Sequence, residues 1–347
     1  MRSACMLEWL AQRCEVDALV FARPDRQLYQ RCRRVAVVEL PAHSRHPAAR
    51  AWRNLKRACR GIPPLVDRFF CKEAQAPLES LLEEGPFELA VFEHFWSAPW
   101  IRWVRPHCRT AILDLHNKEP EFCRAMGGPL AGWFARCAAR WEAELLPLFD
   151  QVWNTDSVPT GLPARPLPES ERVFDVALSG TWAYSPNRDA LRFFFSRVWP
   201  RIVARRPETS CVIIGKNPEA VPRAAARDPL VLVTGPVEDA TEWLARAKVA
   251  AAPLRRGAGT CVKIAEAWQA GCAVVATSVG ARGYGAGDAL IVADSPEEFA
   301  AAVLRLLEDE AHCAELGRAG RRHFEQNYSW PAVHARLDAL LPLPVSV

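Results

Sequence analysis

The stretch from Ala250 to Gly283 reads AAAPLRRGAGTCVKIAEAWQAGCAVVATSVGARG. It runs from a short apolar strand into a turn holding Gly257 and Gly259, then a helix, then Gly271 and a second apolar strand, Cys272 to Ala276. Two strands joined by one helix form a parallel βαβ unit, so this segment alone commits its region to an α/β sheet. A glycine turn that opens a helix exposes backbone N–H groups at the positive end of the macrodipole, which suits an anion. Thr260 suits the N-cap, yet three residues on stands Lys263, where a capping box would place Glu or Gln. A cation in the first turn opposes the dipole unless an anion sits there too. Glu266 follows one turn later, an acceptor suited to sugar hydroxyls. A turn that neutralises phosphate, followed by a carboxylate that holds a ribose, describes a nucleotide site. The same residues also suit an ordinary strand–helix connection with Lys263 in solvent.

The wider pattern alternates strands and helices, hence parallel sheets. Candidate strands are Val16 to Phe21, Val35 to Leu40, Leu89 to Phe92 and Thr110 to Leu115, then Phe174 to Leu178, Cys211 to Ile214, Val231 to Val233, Val249 to Ala252, Cys272 to Ala276 and Ala289 to Val292. At 347 residues the chain exceeds what one core usually organises. The proline-rich stretch VPTGLPARPLPESER reads as a linker, with the boundary near residue 165. Ser295 is an N-cap signal for helices running to about Asn327, and Pro331 opens a last helix.

The 12 cysteines show no metal-like spacing and read as small hydrophobes in a reducing, cytoplasmic setting. Met1 leads into an amphipathic pattern rather than a secretory leader. The longest uncharged run, Ala267 to Ala281, is too short and polar for a membrane span, which needs about 20 apolar residues.

Taken together, Pro253, the turn Gly257 to Thr260, Lys263, Glu266-Ala267, Gly271 and Val274 to Thr277 resemble the donor-binding signature of glycosyltransferase family 4, the "group 1" transferases. SGTWAYSPNRDALRFF, from Ser179, resembles the phosphate-side loop opening the same domain, and VIIGKNP and VTGPVED its next two strand ends. The match runs from about Phe174 to Trp330.

The resemblance implies a GT-B fold: two Rossmann-like domains with parallel sheets facing a central cleft. The N-terminal acceptor-side domain spans 1–165, the donor-binding domain 166–330, and a helix over 331–347 crosses back. It further implies a retaining enzyme that takes sugar from a nucleotide-diphosphate donor without a metal or other cofactor. Gly180, Thr181, Gly215, Val237, Arg255, Gly257, Gly259, Thr260, Lys263 and Glu266 then bind the donor, Lys263 and the turn amides stabilise the departing diphosphate, and the loop Thr234 to Val237 passes near the base. His116, at the end of the strand in ILDLHNKEPEF, resembles the active-site histidine facing the transferred sugar; a loop histidine capping a helix is the alternative. Glu93 and His94 end the preceding strand similarly. Glu119 and Glu121 suit a helix N-terminus.

The chain departs from the family pattern in places. Ala258 stands where many members carry a sugar-contacting Glu, the loop Gly180 to Asn187 has no cation, and the region Asn154 to Glu171 is short. A non-catalytic GT-B protein binding a nucleotide sugar or a partner is therefore a second reading, and a sugar-nucleotide epimerase a third.

From Arg23 to Lys72, thirteen Lys or Arg face only Asp25, Glu39 and Asp67, with Trp52, Phe69 and Phe70 among them. Such a surface suits anionic lipid headgroups or a plain solvated helix face; no nucleic-acid motif accompanies it. Finally, MRSACMLEWLA has helical spacing and Val16 to Phe21 resembles the family's second strand, so the first strand of the N-terminal domain is expected to be missing. A start codon annotated too far downstream and a natural variant both fit that expectation.

Overall fold

The computed structural model describes residues 2–21, 26–44, 46–257, 261–285 and 287–343. The chain divides into two compact units, one of Arg2–Pro159 with the chain from Arg336 onward, the other of Thr160–Ala335. No helix among the described residues is long and apolar enough to cross a membrane.

In the first unit, β1 (Asp17–Val20) pairs in parallel with β2 (Arg34–Val37). Separately, β3 (Phe87–Glu93), β4 (Cys108–Asp114) and β5 (Gln151–Trp153) form a parallel three-stranded sheet in that order. Among the described residues no strand joins the two sheets. The helix Arg2–Ala11 forms as expected but buries Cys5, Met6, Trp9 and Leu10, whereas Ala4 is exposed and Leu7 and Ala11 are only part-buried. Trp9 Nε1 and Arg13 Nε each donate to Asp338 at 2.8 Å, tying this helix to the chain's last helix.

The second unit holds one six-stranded parallel sheet of β6 (Phe174–Ser179), β7 (Cys211–Ile214), β8 (Val231–Gly235), β9 (Ala247–Ala252), β10 (Ala273–Ala276) and β11 (Ile291–Val292). Their order across the sheet is β11-β10-β9-β6-β7-β8. Strands β7 and β10 are wholly buried, because helices cover both faces, which is why they read as unbroken apolar runs without alternation. The two-residue period still sorts the core. Leu178, Ile213, Val249 and Val275 face Phe194, Phe299 and Val303; Ala177, Val212, Ala250 and Val274 face Ile264, Trp268 and Phe324. Gly320 lets the helix Glu310–Asn327 approach, since a Cβ there would lie 2.1 Å from the Trp268 ring.

Ser295 opens the helix Pro296–Glu308 with a full capping box to Glu298. The expected strand from Ala289 shortens to Ile291–Val292, because Gly287–Ala289 forms a 3₁₀ turn. Strand β5 has no counterpart in the sequence reading; three residues are too few to show a period.

Candidate active site

Counted in chain order, the second sheet runs third, second, first, fourth, fifth, sixth. The order reverses between β6 and β9, and ligands of such sheets bind beyond the carboxyl ends at that switch point. The loop leaving β6 there carries Gly180 and Thr181, and the loop leaving β9 carries Arg255 and Gly257. Gly180 N–H donates to the Ile214 carbonyl at 2.9 Å, bringing the ends of β6 and β7 together. Gly215, at φ +127°, approaches so closely that a Cβ there would sit 2.0 Å from the Gly180 oxygen. Asn187 Nδ2 closes the loop by donating to the Thr181 carbonyl at 2.8 Å.

Lys263 is the second residue of the helix Val262–Gln269, which begins one turn beyond β9. The N-cap of that helix is Cys261, without a side-chain cap bond, rather than the expected Thr260. Gly259, Thr260 and Ala258 lie outside the described residues. Lys263 Nζ reaches to 2.8 Å from where a Cβ on Gly180 would stand. The ammonium and the glycine turn thus converge at the switch point, and no acidic residue occupies the helix's first turn. Glu266 lies one turn on, half-buried; burial lifts its carboxyl above the ordinary value, Lys263 pulls it down and Asp239 pushes it up.

Arg255 is placed differently from expectation. Its guanidinium is bidentate to Asp189 at 3.0 and 2.8 Å and lies over the Phe193 ring, while Arg256 shares the same carboxylate. Two guanidinium groups share one carboxylate, so the cluster keeps a net positive charge with both cations held in place. The sequence separation of 66 residues hides this pairing from any local pattern. Val237 lies half-buried in the loop after β8, beside Asp239, whose side chain caps the helix Ala240–Ala245. Gly257 has open space around its α-carbon.

His116 belongs to the first unit, where Glu93 and Asp114 end β3 and β4 in register. His116 Nε2 bonds Glu93 Oε2 at 2.6 Å and lies 3.3 Å from Asp114 Oδ2. Burial alone would lower the imidazole; the bonds to Asp114 and Glu93 outweigh it and raise it above the ordinary value. Asp114 is fully buried, which opposes its ionisation, but Arg2 grips both of its oxygens and holds it below the ordinary value. Arg2 also donates to the carbonyls of Val158 and Asn154. Nothing in the sequence reading flagged Arg2.

His94 lies against His116, with ring centroids 3.7 Å apart and the planes tilted by 39°. Burial and the neighbouring His116 push it down to about 4. At φ +68° its backbone sits in a region costly for a residue with a Cβ. Ser97 Oγ donates to its carbonyl and Trp96 stacks on its ring, which hold it there. Glu93, Asp114 and His116 offer ligand atoms within 4.8 Å of one another, a spacing that a metal ion could bridge. Arg2 engages both Asp114 oxygens and His116 bonds Glu93, so these side chains already partner one another.

Glu119 opens the helix Glu119–Ala125 as expected, but it is also buried, with Oε1 unpartnered. Desolvation, and then Glu142, raise its carboxyl to about 7. The folded state therefore binds this proton more tightly than the unfolded chain. Stability falls as pH climbs from the ordinary value of 4.5 through 7, by about 3 kcal/mol at roughly 1.4 kcal/mol per unit. Glu119→Gln should raise the urea midpoint at pH 8.5 and leave it nearly unchanged at pH 5. An equal gain at both pH values would show that the charge is not the cause.

Two Rossmann-like units in one chain make this a protein of the GT-B fold. Residues 174–309 match the family model described as Glycosyl transferases group 1. Over 147 residues the chain is 34% identical to phosphatidyl-myo-inositol mannosyltransferase of Mycolicibacterium smegmatis, covering 40% of this chain and 38% of that protein. The matched stretch thus spans under two-fifths of the curated relative's length. Among solved structures, HepE of Anabaena in complex with UDP is similar at a TM-score of 0.61 and 13% identity, over 98% of this chain and 96% of that one. The N-terminal domain of trehalose-6-phosphate phosphatase of Candida albicans is similar at a TM-score of 0.67 and 10% identity, over 98% and 92%. At such identities the likeness establishes the fold alone.

Proposed function

We propose that the chain is a retaining glycosyltransferase that moves a sugar from a nucleotide-diphosphate donor to an acceptor hydroxyl. One observation carries the reading: the Lys263 ammonium converges with the Gly180–Gly215 turn at the switch point of the second unit's sheet. In transfer, the bond between the anomeric carbon and the diphosphate oxygen breaks, and its electron pair leaves with the diphosphate. The acceptor oxygen bonds that carbon and loses its proton. Charge develops on the leaving diphosphate, so fixed cations and helix N-terminal amides aimed at it contribute most. Lys263 fills that role, with Gly180, Thr181, Gly215 and Gly257 supplying backbone approach, and Gly259 and Thr260 are assigned to the same donor site. Glu266 takes the ribose hydroxyls and Val237 borders the base. Arg255, held by Asp189, adds a fixed positive field. His116 is assigned to the transferred sugar, and no metal is required. Retention of configuration rests on the resemblance to glycosyltransferase family 4.

The relative that transfers mannose to phosphatidyl-myo-inositol and the neighbour that binds UDP suggest a donor panel spanning several bases and sugars, mannose included, with phosphatidylinositol among the acceptors. Release of nucleoside diphosphate with one donor, matched by a glycosylated product, is the expected result. The absence of cations from the Gly180 to Asn187 loop favours a second reading, a nucleotide-sugar-binding protein without transfer. Ligand-dependent thermal stabilisation without product would select it.

A cytoplasmic location with peripheral contact at an anionic inner membrane face is part of the proposal. The helix Pro47–Arg60 turns Trp52 and Leu55 outward, 59% and 48% exposed, beside Arg50, Lys56 and Arg60. Not all of the basic segment is available to lipid: Arg33 and Arg34 pair with Asp17, and Arg57 with Asp67. An amphipathic helix of this kind lies in the headgroup plane. Binding to phosphatidylserine vesicles should fall steeply between low and high salt, because the attraction is screened. Equal recovery on neutral vesicles would remove this part of the proposal.

A further inference from the structure

The second unit holds a cavity of about 620 Å³ that the donor site does not use. It lies at the opposite end of the sheet. Arg172, on its wall, donates to the carbonyl of Ala247, where β9 begins, and at 2.7 Å to that of Gly271, just before β10. The strands are parallel, so their amino ends gather here and their carboxyl ends at the switch point. Strand β9 has six residues, and at about 3.3 Å per residue its length separates the two places. The volume falls among those of small-molecule sites, roughly 300–1,000 Å³.

The walls are basic. The helix Glu310–Asn327 contributes Arg318, Arg321 and Arg322, three cations at i, i+3 and i+4. Like charges so spaced weaken a helix, and none of the three stands in the last turn, where the dipole would favour it. Arg318 and Arg322 share the one carboxylate of Glu315, at 2.8 and 3.2 Å. Arg321 is occupied by Glu325 at 2.6 Å and by the carbonyls of Gln269 and Arg165. Lys248 lies between Asp175 and Glu310, at 3.4 and 3.6 Å. Arg172 bonds the two carbonyls and the Cys272 sulfur, and among the described residues no carboxylate pairs with it. Five cations thus face four carboxylates, and the surplus charge lies with Arg172, Arg318 and Arg322. Leu167 and Leu306 supply apolar wall.

We propose that this cavity binds a small organic phosphate monoester, with its dianion held by Arg172, Arg318 and Arg322 and its apolar body against Leu167 and Leu306. Guanidinium forks match phosphate oxygens two at a time. Among the described residues the helix Glu310–Asn327 exposes no large apolar side chain that would enter a bilayer, which favours a soluble ligand over a lipid headgroup. The inference stands on the second unit alone and does not depend on the sugar-transfer reading.

The test is calorimetric titration of the full chain with phenyl phosphate, beside inorganic phosphate and phenyl sulfate, which carries one charge fewer. Phenyl phosphate should bind more tightly than either, with or without saturating UDP. Arg172 also ties two strands together, so the exposed pair Arg318→Gln and Arg322→Gln is the safer variant. Replacing both should weaken binding by at least about tenfold, since two charge-assisted hydrogen bonds are lost. Glu315→Gln should tighten it, because that change frees both guanidiniums, an effect a purely structural role for these arginines would not produce. Binding that survives the double variant, or none at all, would overturn the proposal. Equal affinity for inorganic phosphate would reduce the site to bare charge, and displacement by UDP would move it to the donor site. Capture by phosphatidic acid vesicles without affinity for phenyl phosphate would assign the surface to lipid instead. Failure of UDP to bind would count against the donor site and leave this one standing.

Discussion

Replacing Lys263 with Ala should slow sugar transfer by about 10²–10³-fold, the loss seen when one preorganised group that stabilises developing negative charge is removed. The mutation removes an ammonium that meets the Gly180 turn at the helix N-terminus, and Arg255 and Arg256 are held on Asp189 rather than at that turn. Lys263 is only half-buried, so the fold should survive, with circular dichroism and melting temperature near those of the parent. Gly180→Ala provides an independent check. Its new Cβ would press on Lys263 Nζ from 2.8 Å and on Asn187 Nδ2 from 3.1 Å. It should therefore lower turnover while Lys263 is still present. Near-parental rates in Lys263→Ala would place the diphosphate elsewhere.

The second large effect is on stability. Arg2→Ala leaves Asp114 buried with His116 as its remaining charged contact, and removing one partner of a buried pair costs about 3–5 kcal/mol. The sign of its pH dependence follows from Asp114. Its folded value lies below the ordinary 3.8, so the pair's stabilisation is present above 3.8 and is lost as pH falls through the lower folded value. At pH 7 the full loss should appear in urea unfolding of the variant. Towards pH 3 the gap between parent and variant should shrink, as the carboxyl protonates more readily in the variant. A cost below about 1 kcal/mol at pH 7 would mean that the pair carries little net stabilisation.

The sheet of the second unit was legible in the sequence because its physics is local. Buried parallel strands are apolar runs, and Gly180, Gly215 and Gly271 mark places where only a hydrogen fits or a positive φ is required. Lys263 stood out because a cation in the first turn of a helix opposes the dipole. The features that were not legible are long-range electrostatic ones. Arg2 meets Asp114 across 112 residues, and Asp189 meets Arg255 across 66, and neither pair leaves a periodicity or a spacing to detect. His94 was visible as a strand-end residue, yet its positive φ and its contact with His116 depend on Trp96 and Ser97 folding back on it. The basic segment misled in the other direction. Counted along the chain it is one patch, but in three dimensions Asp17, Glu84 and Asp67 divide it, leaving the outer face of Pro47–Arg60 as its exposed apolar and basic part.

The donor site is tested most directly by hydrogen exchange of the whole chain with and without saturating UDP and GDP. Protection by one of them should centre on Gly180–Thr181, Gly215 and the first turn of Val262–Gln269, and Lys263→Ala should weaken or abolish it. Protection confined to other segments, or none with either nucleotide, would contradict a nucleotide-sugar site at the switch point.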